Sequence, residues 1–510
     1  MSDGDSRNLF SWEDGEVETE RVEIKRLTPF IGGRYLEGTS GDGLTVINPA
    51  TGAEIAVVAA AGPREVAEAV EAAAQAARGS WGLMPKSERA AYLRRIAELL
   101  VHHGARLATI ECLDTGHPFK EIRDLDVSGA AGWFNYFADV LGTLRSDVIE
   151  GVPGYFSFAV REPHGVVGII IPWNFPLFLL ARKSAAALAM GNAVVIKPAE
   201  ETPLSTLEFG EICLEAGLPS GVVNIIPGEG ETTGRELVGH PGVDLVTFTG
   251  SVEVGREVAS RAGQNLTPVV LELGGKSPNI VFADADLEAA CASSLFTFCS
   301  NQGQVCTAGT RLLAEASICD RFVADLVNRA QRVRVGDPFD EKTQVGAVIS
   351  ERQMERIERY VALGRQEGAK LLTGGDRYIL PTAPGGLFYR PTVFGDVDPK
   401  TTIAQEEIFG PVLSVIPFHD EAEALAMAND VPYGLAAFVW TRDLSRAHRM
   451  IEGLQAGSVV VNSTNVGRPS IPIGGYKDSG FGVEGGIEHA LSMTKLKAVQ
   501  INIRGEIPIL

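Results

Sequence analysis

From residue 165 onward the sequence alternates short β-rich runs, at 166–171, 193–196, 222–226, 245–248 and 269–271, with longer stretches of helical spacing. One such stretch starts at Leu204 and stops before Gly217, a residue suited to the left-handed turn that ends a helix. Alternation at this spacing predicts an α/β fold, a parallel sheet joined by right-handed crossover helices, because parallel neighbours cannot be joined by a tight turn. Ligands in open sheets of this kind sit outside the carboxyl ends of the strands. At those five ends the chain places Pro172-Trp173-Asn174-Phe175-Pro176, Lys197-Pro198-Ala199-Glu200, Pro227-Gly228-Glu229-Gly230, Thr249-Gly250-Ser251 and Glu272-Leu273-Gly274-Gly275-Lys276. Polar and glycine-rich groups at five successive strand ends point to a binding site built there.

Upstream, Pro63 opens a helix, and Leu93, Ile96, Ala97, Leu100 and Val101 mark a second at helical spacing. Downstream, another α/β set follows from Ile280, with strands at 412–416, 435–440 and 458–461. A last run, 497–503, reads as a strand reaching away from the body, with 157–160 as its partner.

Composition removes several classes. The 510 residues carry a formal charge of −20. That balance argues against a nucleic-acid partner, which would need a basic face. The 57 glycines suit an enzyme that approaches phosphates with main chain. None of the six cysteines is spaced as CxxC, so a zinc ribbon or dithiol motif finds no support and a reducing, cytoplasmic setting is expected. Between Asp3 and Glu20 lie seven acidic residues against Arg7 alone, which fits an acidic flexible arm and not a targeting peptide. The most apolar run, 165–181, is broken by Pro172, Asn174 and Pro176, so no membrane span is expected.

Three familiar motifs fail. Gly275-Lys276-Ser277 resembles the end of a phosphate-binding P-loop, but Val270 stands where its first glycine belongs. Asp284 and Asp286 begin like a calcium loop that then lacks its turn glycine, having Ala289, and no metal site is expected. Gly228-Glu229-Gly230 reaches Gly234 one residue too late for a dinucleotide fingerprint. Thr249-Gly250-Ser251 precedes a helix whose N-terminus suits a pyrophosphate, although Ser251 is equally an ordinary N-cap.

Cys306 stands in a small polar loop, Asn301-Gln302-Gly303-Gln304-Val305-Cys306-Thr307-Ala308-Gly309, after an apolar helix ending near Cys299. Cys299 reads as a buried hydrophobe. Cys306 has the setting of a nucleophile, Glu272 that of a water-activating base, and Asn174 carries an amide donor for an oxyanion.

These residues, in this order, resemble the NAD(P)-dependent aldehyde dehydrogenase family. The likeness rests on Pro172 to Pro176, Glu272 to Lys276, Gln302 to Cys306, and Glu406-Glu407-Ile408-Phe409-Gly410-Pro411-Val412, and runs from about Ile31 to Val499. It implies a dinucleotide-binding domain from 25–150 and 165–274, a catalytic domain over 275–480, and an oligomerisation arm from 151–164 and 481–510, with 1–24 as the acidic arm. It implies that Cys306 attacks an aldehyde, that Asn174 and the Cys306 N–H hold the oxyanion, and that Glu272 activates the water that hydrolyses a thioester. Lys183 would be a further polar contact near these catalytic residues. Glu407 would bind the nicotinamide ribose with Phe409 nearby, Lys197 and Glu200 the adenine ribose, and Ser251 a phosphate oxygen. Pro172, Trp173, Gly228, Gly250 and Leu273 would complete the cofactor site, and Val305 and Thr307 would flank the aldehyde. A homodimer or homotetramer is implied. The Glu200 carboxylate would accept from a ribose 2′-OH and repel a 2′-phosphate, which predicts NAD over NADP.

Two departures bear on substrate. Ile473 replaces a phenylalanine common before Gly-Gly-Tyr-Lys, and Arg182 replaces a tryptophan common in broad-specificity members. An arginine here resembles the carboxylate clamp of some semialdehyde-oxidising members; alternatively Arg182 pairs with a structural acid. A cysteine hydrolase without redox chemistry would need a histidine base, and none of the eight histidines lies in these motifs. Intact Asn174, Glu272 and Cys306 argue against an inactive scaffold, and the Glu272 base favours water over coenzyme A as acyl acceptor.

Overall fold

The strands Val166–Ile170 and Ala193–Lys197 are buried along their whole length, as expected for strands covered on both faces. In the computed structural model, which describes residues 24–151, 153–464 and 467–505, they form the middle of an eight-stranded sheet. Its parallel centre runs Val223–Ile225, Ala193–Lys197, Val166–Ile170, Leu245–Thr249, Val269–Glu272. These are the five strands read from the sequence, with their ends shifted by at most one residue. The chain moves outward from Val166–Ile170 on one side and then restarts on the other at Leu245–Thr249. That reversal opens a crevice beyond Ile170 and Phe248.

Alternate side chains of the sheet feed two cores. Val167, Ile169, Val194 and Ile196 pack with Phe134, Leu177 and Leu180 on one face. Val166, Val195 and Val246 pack with Val66, Ala69 and Val258 on the other. The helix Pro63–Arg78 supplies Val66 and Ala69 and starts with proline in its first turn, where Glu65 accepts from the Gly62 N–H at 2.9 Å. The helix Pro176–Ala189 supplies Leu177 and Leu180 and carries Arg182 and Lys183 inward.

A seven-stranded sheet follows in the order Lys370–Thr373, Thr392–Gly395, Val412–Phe418, Arg311–Glu315, Pro278–Val281, Ala436–Trp440, Ser458–Val461, parallel except at its first edge. The two large sheets are tied by a late segment of chain: Gly480–Phe481 pairs antiparallel with Val269–Glu272. A separate three-stranded sheet joins Thr494–Asn502 to Tyr155–Pro163, and the latter to Asp147–Ile149. It leaves Val148, Phe156, Leu496 and Ile501 exposed. The acidic stretch 1–23 and residues 506–510 lie outside the described residues. Among the described residues no helix is long and apolar enough to cross a membrane.

Candidate active site

Beyond the helix Leu287–Cys299 the backbone turns through three consecutive left-handed residues, Asn301 (φ 43°), Gln302 (φ 57°) and Gly303 (φ 71°). For the two residues with side chains this conformation costs about 1–2 kcal/mol each. Side-chain hydrogen bonds hold it in place. Gln302 donates from Nε2 to the Ala347 carbonyl at 3.0 Å and accepts at Oε1 from the Gly346 N–H at 2.9 Å. Gln304 accepts at Oε1 from the Ile349 N–H at 3.1 Å. Asn301 donates from Nδ2 to the Asn174 carbonyl at 2.6 Å. Glycine at 303 is also steric, since a Cβ there would lie 2.3 Å from the Gly410 carbonyl oxygen. The turn delivers Cys306, flanked by Val305 and Thr307, each half-buried.

Asn174 is buried, and its Nδ2 donates to the Gln304 carbonyl at 2.8 Å. An amide nitrogen carries two hydrogens, and this bond uses one. The bonds in both directions between Asn174 and the 301–304 segment fix the amide beside the thiol loop. Glu272 ends the strand Val269–Glu272 and is likewise buried. Burial, with the Glu484 charge, holds its carboxyl above the usual range against the pull of Arg182 and Lys183. Burial, with Glu407 and Glu272, pushes the Cys306 thiol up to about 12. Burial thus disfavours the charged form of both groups.

Glu484, absent from the sequence-based set, organises the next layer. Its carboxylate receives Lys183 Nζ at 2.5 Å and lies 2.8 Å from Arg182 Nε. Burial alone would raise its pKa, yet these two cations hold it well below the usual carboxylate range. Lys183 also donates to Thr247 Oγ1 at 2.9 Å and is fully buried. Its ammonium is thus committed to Glu484 and Thr247. Arg182 is the cation that pairs with a structural acid, and its guanidinium lies 5.6 Å from the centre of the Trp133 ring. Among the described residues the buried Nη2 of Arg182 has no hydrogen-bond partner, and its Nε meets Glu484 as an ion pair without an aligned hydrogen bond. No motif marks Glu484 in the sequence; its one signal is a lone acid inside a glycine-rich run, Gly480 to Gly486.

The other strand ends form a continuous lining. Glu407 turns onto Gly274-Gly275, accepting from the Gly275 N–H at 2.9 Å, and burial raises its carboxyl to about 7. A Cβ on Gly274 would come within 2.3 Å of Glu407 Oε2, so any other residue there would push the carboxylate from this position. Phe409 holds a left-handed φ of 62° and meets Trp173 edge-on at 5.2 Å. Gln353 and Arg356, also missed from sequence, donate to the carbonyls of Ile408, Phe409 and Glu407. Pro172 is half-buried and Leu273 buried. Lys197 Nζ bonds Glu200 Oε2 at 2.9 Å. A cavity of 610 Å³ opens beyond Ile170 and Phe248, with Glu200, Gly230 and Val254 on its walls. Gly230 and not Gly228 borders it; Gly228 is packed on Thr233. Gly250 sits against the Phe248 ring. Ser251 caps the helix Val252–Gln264, accepting from the Val254 N–H at 3.3 Å. The crevice, the glycine approaches and a carboxylate acceptor at each end, Glu407 and Glu200, fit a dinucleotide laid across the strand ends.

The model of the aldehyde dehydrogenase family matches residues 35–499. The chain belongs to the aldehyde dehydrogenase family. It is 44% identical over 474 residues to the betaine aldehyde dehydrogenase of Brucella melitensis biotype 2, covering 93% of this chain and 97% of that one. Among solved structures it resembles the indole-3-acetaldehyde dehydrogenase AldA of P. syringae, crystallised with NAD+ and IAA, at TM-score 0.92 and 41% identity over 95% of this chain and 98% of that one. The betaine aldehyde dehydrogenase of Staphylococcus aureus in complex with NAD+ superposes at TM-score 0.92 and 37% identity, over 94% and 96% of the two chains. For an aldehyde dehydrogenase, the α/β architecture read from the strand ends is the family's own fold.

Proposed function

We propose that this aldehyde dehydrogenase oxidises an aldehyde to its carboxylic acid with NAD and water through a thioester on Cys306. The observation that carries the residue roles is the mutual lock between Asn174 and the 301–304 segment that leads into Cys306, with Glu272 two strand ends away across the sheet. The Cys306 sulfur, once deprotonated, bonds the aldehyde carbon, and the remaining Asn174 N–H with the Cys306 N–H receives the oxyanion. NAD, when bound, supplies the hydride acceptor, as its presence in the solved relatives supports. Collapse of the oxyanion leaves the acyl group on sulfur. Glu272, ionised, takes a proton from water; the water oxygen adds to the acyl carbon and the C–S bond breaks. Lys197 and Glu200 serve the adenine ribose, Glu407 the nicotinamide ribose.

Arg182 bears on the aldehyde. Its Nε end is taken by Glu484, and its unpartnered, buried Nη2 supports a narrower reading in which a polar or carboxylate tail of the substrate meets that edge. The exposed apolar side chains of the three-stranded sheet support assembly into a homo-oligomer. Six unpaired cysteines support a reducing, cytoplasmic setting.

The test is aldehyde-dependent NADH absorbance over a panel of aliphatic, aromatic and ω-carboxylate aldehydes. Cys306→Ala should abolish it while NAD binding persists; NADH formation at the wild-type rate would remove Cys306 from the nucleophile role. Arg182→Ala should weaken the ω-carboxylate substrates selectively, and an equal effect on all aldehydes would sink the narrower reading.

A further inference from the structure

The adenosine-side cavity is bordered by both halves of the molecule. Ile170, Phe248 and Glu200 come from the first sheet, and Arg352 reaches it from the start of the helix Glu351–Gln366 in the second. One turn further along that helix, Arg356 holds the Glu407 carbonyl. A single helix thus spans both ends of the cofactor crevice.

The cations around this cavity differ in their commitments. Lys197 is bonded to Glu200. Arg261 donates from Nε to the Arg235 carbonyl at 2.7 Å, and Arg235 lies 3.9 Å from Glu257. Arg352 is exposed and has no ion pair within 4.0 Å among the described residues. Its charge still reaches Glu200 and Glu201. The Glu200 side chain is itself 41% exposed, so it can leave Lys197 by rotation about its own bonds.

We propose that Arg352 is a cofactor-selectivity residue whose guanidinium takes the 2′-phosphate of NADP, giving this NAD-preferring enzyme a second, weaker cofactor. The proposal rests on reading the 610 Å³ cavity as the adenosine site. A 2′-phosphate entering beside Lys197 displaces the Glu200 carboxylate, which swings toward solvent. The planar fork of Arg352 then offers two parallel N–H donors to the phosphate, and Lys197 offers a third. With NAD, Glu200 stays on Lys197 and accepts from the ribose hydroxyl, so no such rearrangement is needed. The preference for NAD follows from Glu200; the size of that preference follows from Arg352.

The experiment titrates the full-length protein with adenosine 2′,5′-bisphosphate and with 5′-AMP by calorimetry, for wild type, Arg352→Ala and Arg352→Lys. Arg352→Ala should weaken the bisphosphate by about tenfold more than AMP, the loss of one charge-assisted hydrogen-bond pair, and Arg352→Lys should recover part of it. The NAD-to-NADP ratio of kcat/KM should rise by a similar factor. Equal weakening of both nucleotides would overturn the proposal, as would a wild type that binds AMP but neither binds the bisphosphate nor reduces NADP. Binding of neither nucleotide would instead overturn the adenosine-site reading beneath it.

Discussion

The two ends of the crevice are built on opposite principles. At the thiol end, Glu272, Lys183 and Glu484 are buried, Cys306 and Glu407 half-buried, and desolvation moves Cys306, Glu272 and Glu407 toward their uncharged forms. Positions there are fixed by side-chain-to-backbone bonds such as Asn174 to Gln304 and Gln302 to Ala347. At the adenosine end, Glu200, Arg235 and Arg352 stand at the cavity rim, and the partly exposed Glu200 reaches the buried Lys197 from the solvent side. Bond-making needs groups that stay put in a dry place, because an electrostatic contact there is strong and needs no reorganisation. Nucleotide recognition tolerates groups that move.

That contrast can be broken most forcefully at Glu484. Glu484→Ala leaves Lys183 and Arg182 as buried cations without their counter-charge, and should cost about 3–5 kcal/mol of stability. Urea midpoints at constant m value read this directly; a loss under about 1 kcal/mol would place this network with ordinary surface pairs. The next effect is on pH. Glu272 works as a base only when ionised, and its pKa is held above the usual carboxylate range, so thioester hydrolysis should slow as pH falls. Single-turnover acyl-enzyme decay should drop by about tenfold per pH unit below that pKa, and Glu272→Gln should flatten the dependence. A wild-type decay rate flat between pH 6 and 9, on the order of physiological range, would return Glu272 to an ordinary carboxylate. The smallest effect belongs to the rim: Glu200→Ala should change stability by no more than about 1 kcal/mol. A larger loss would show that the adenosine end is as rigid as the thiol end.

Legibility in the sequence followed the same division. The strands, and the residues at their carboxyl ends, were legible because β-rich runs and the glycine and polar groups that follow them are contiguous in the chain. Cys306, Glu272 and Asn174 stood out for that reason. Glu484 did not, because its meaning depends on Lys183, whose position 301 residues away no local pattern encodes. Gln302 and Gln304 read as loop polarity, whereas each splints a left-handed turn to the 346–349 segment. Ser251 kept two readings in the sequence, and its hydroxyl is seen accepting from the Val254 N–H as a cap. Gly228 was selected as a backbone approach to cofactor, yet a Cβ there would collide with Thr233 Oγ1 at 1.9 Å. A glycine conveys that space is short without saying which neighbour takes it.

The strand Gly480–Phe481 and the Glu484 that follows it also set a timetable. Lys183 leaves the ribosome 301 residues before its counter-charge, which at roughly 5–20 residues per second is about 15–60 s of synthesis. Once Val269–Glu272 is made, its outer edge waits for Gly480–Phe481 to cover it, and the Lys183 ammonium waits for the Glu484 carboxylate. A nascent chain bearing every residue of the thiol loop therefore still lacks a closed catalytic floor. Closure of the catalytic floor waits on a segment made long after the thiol loop.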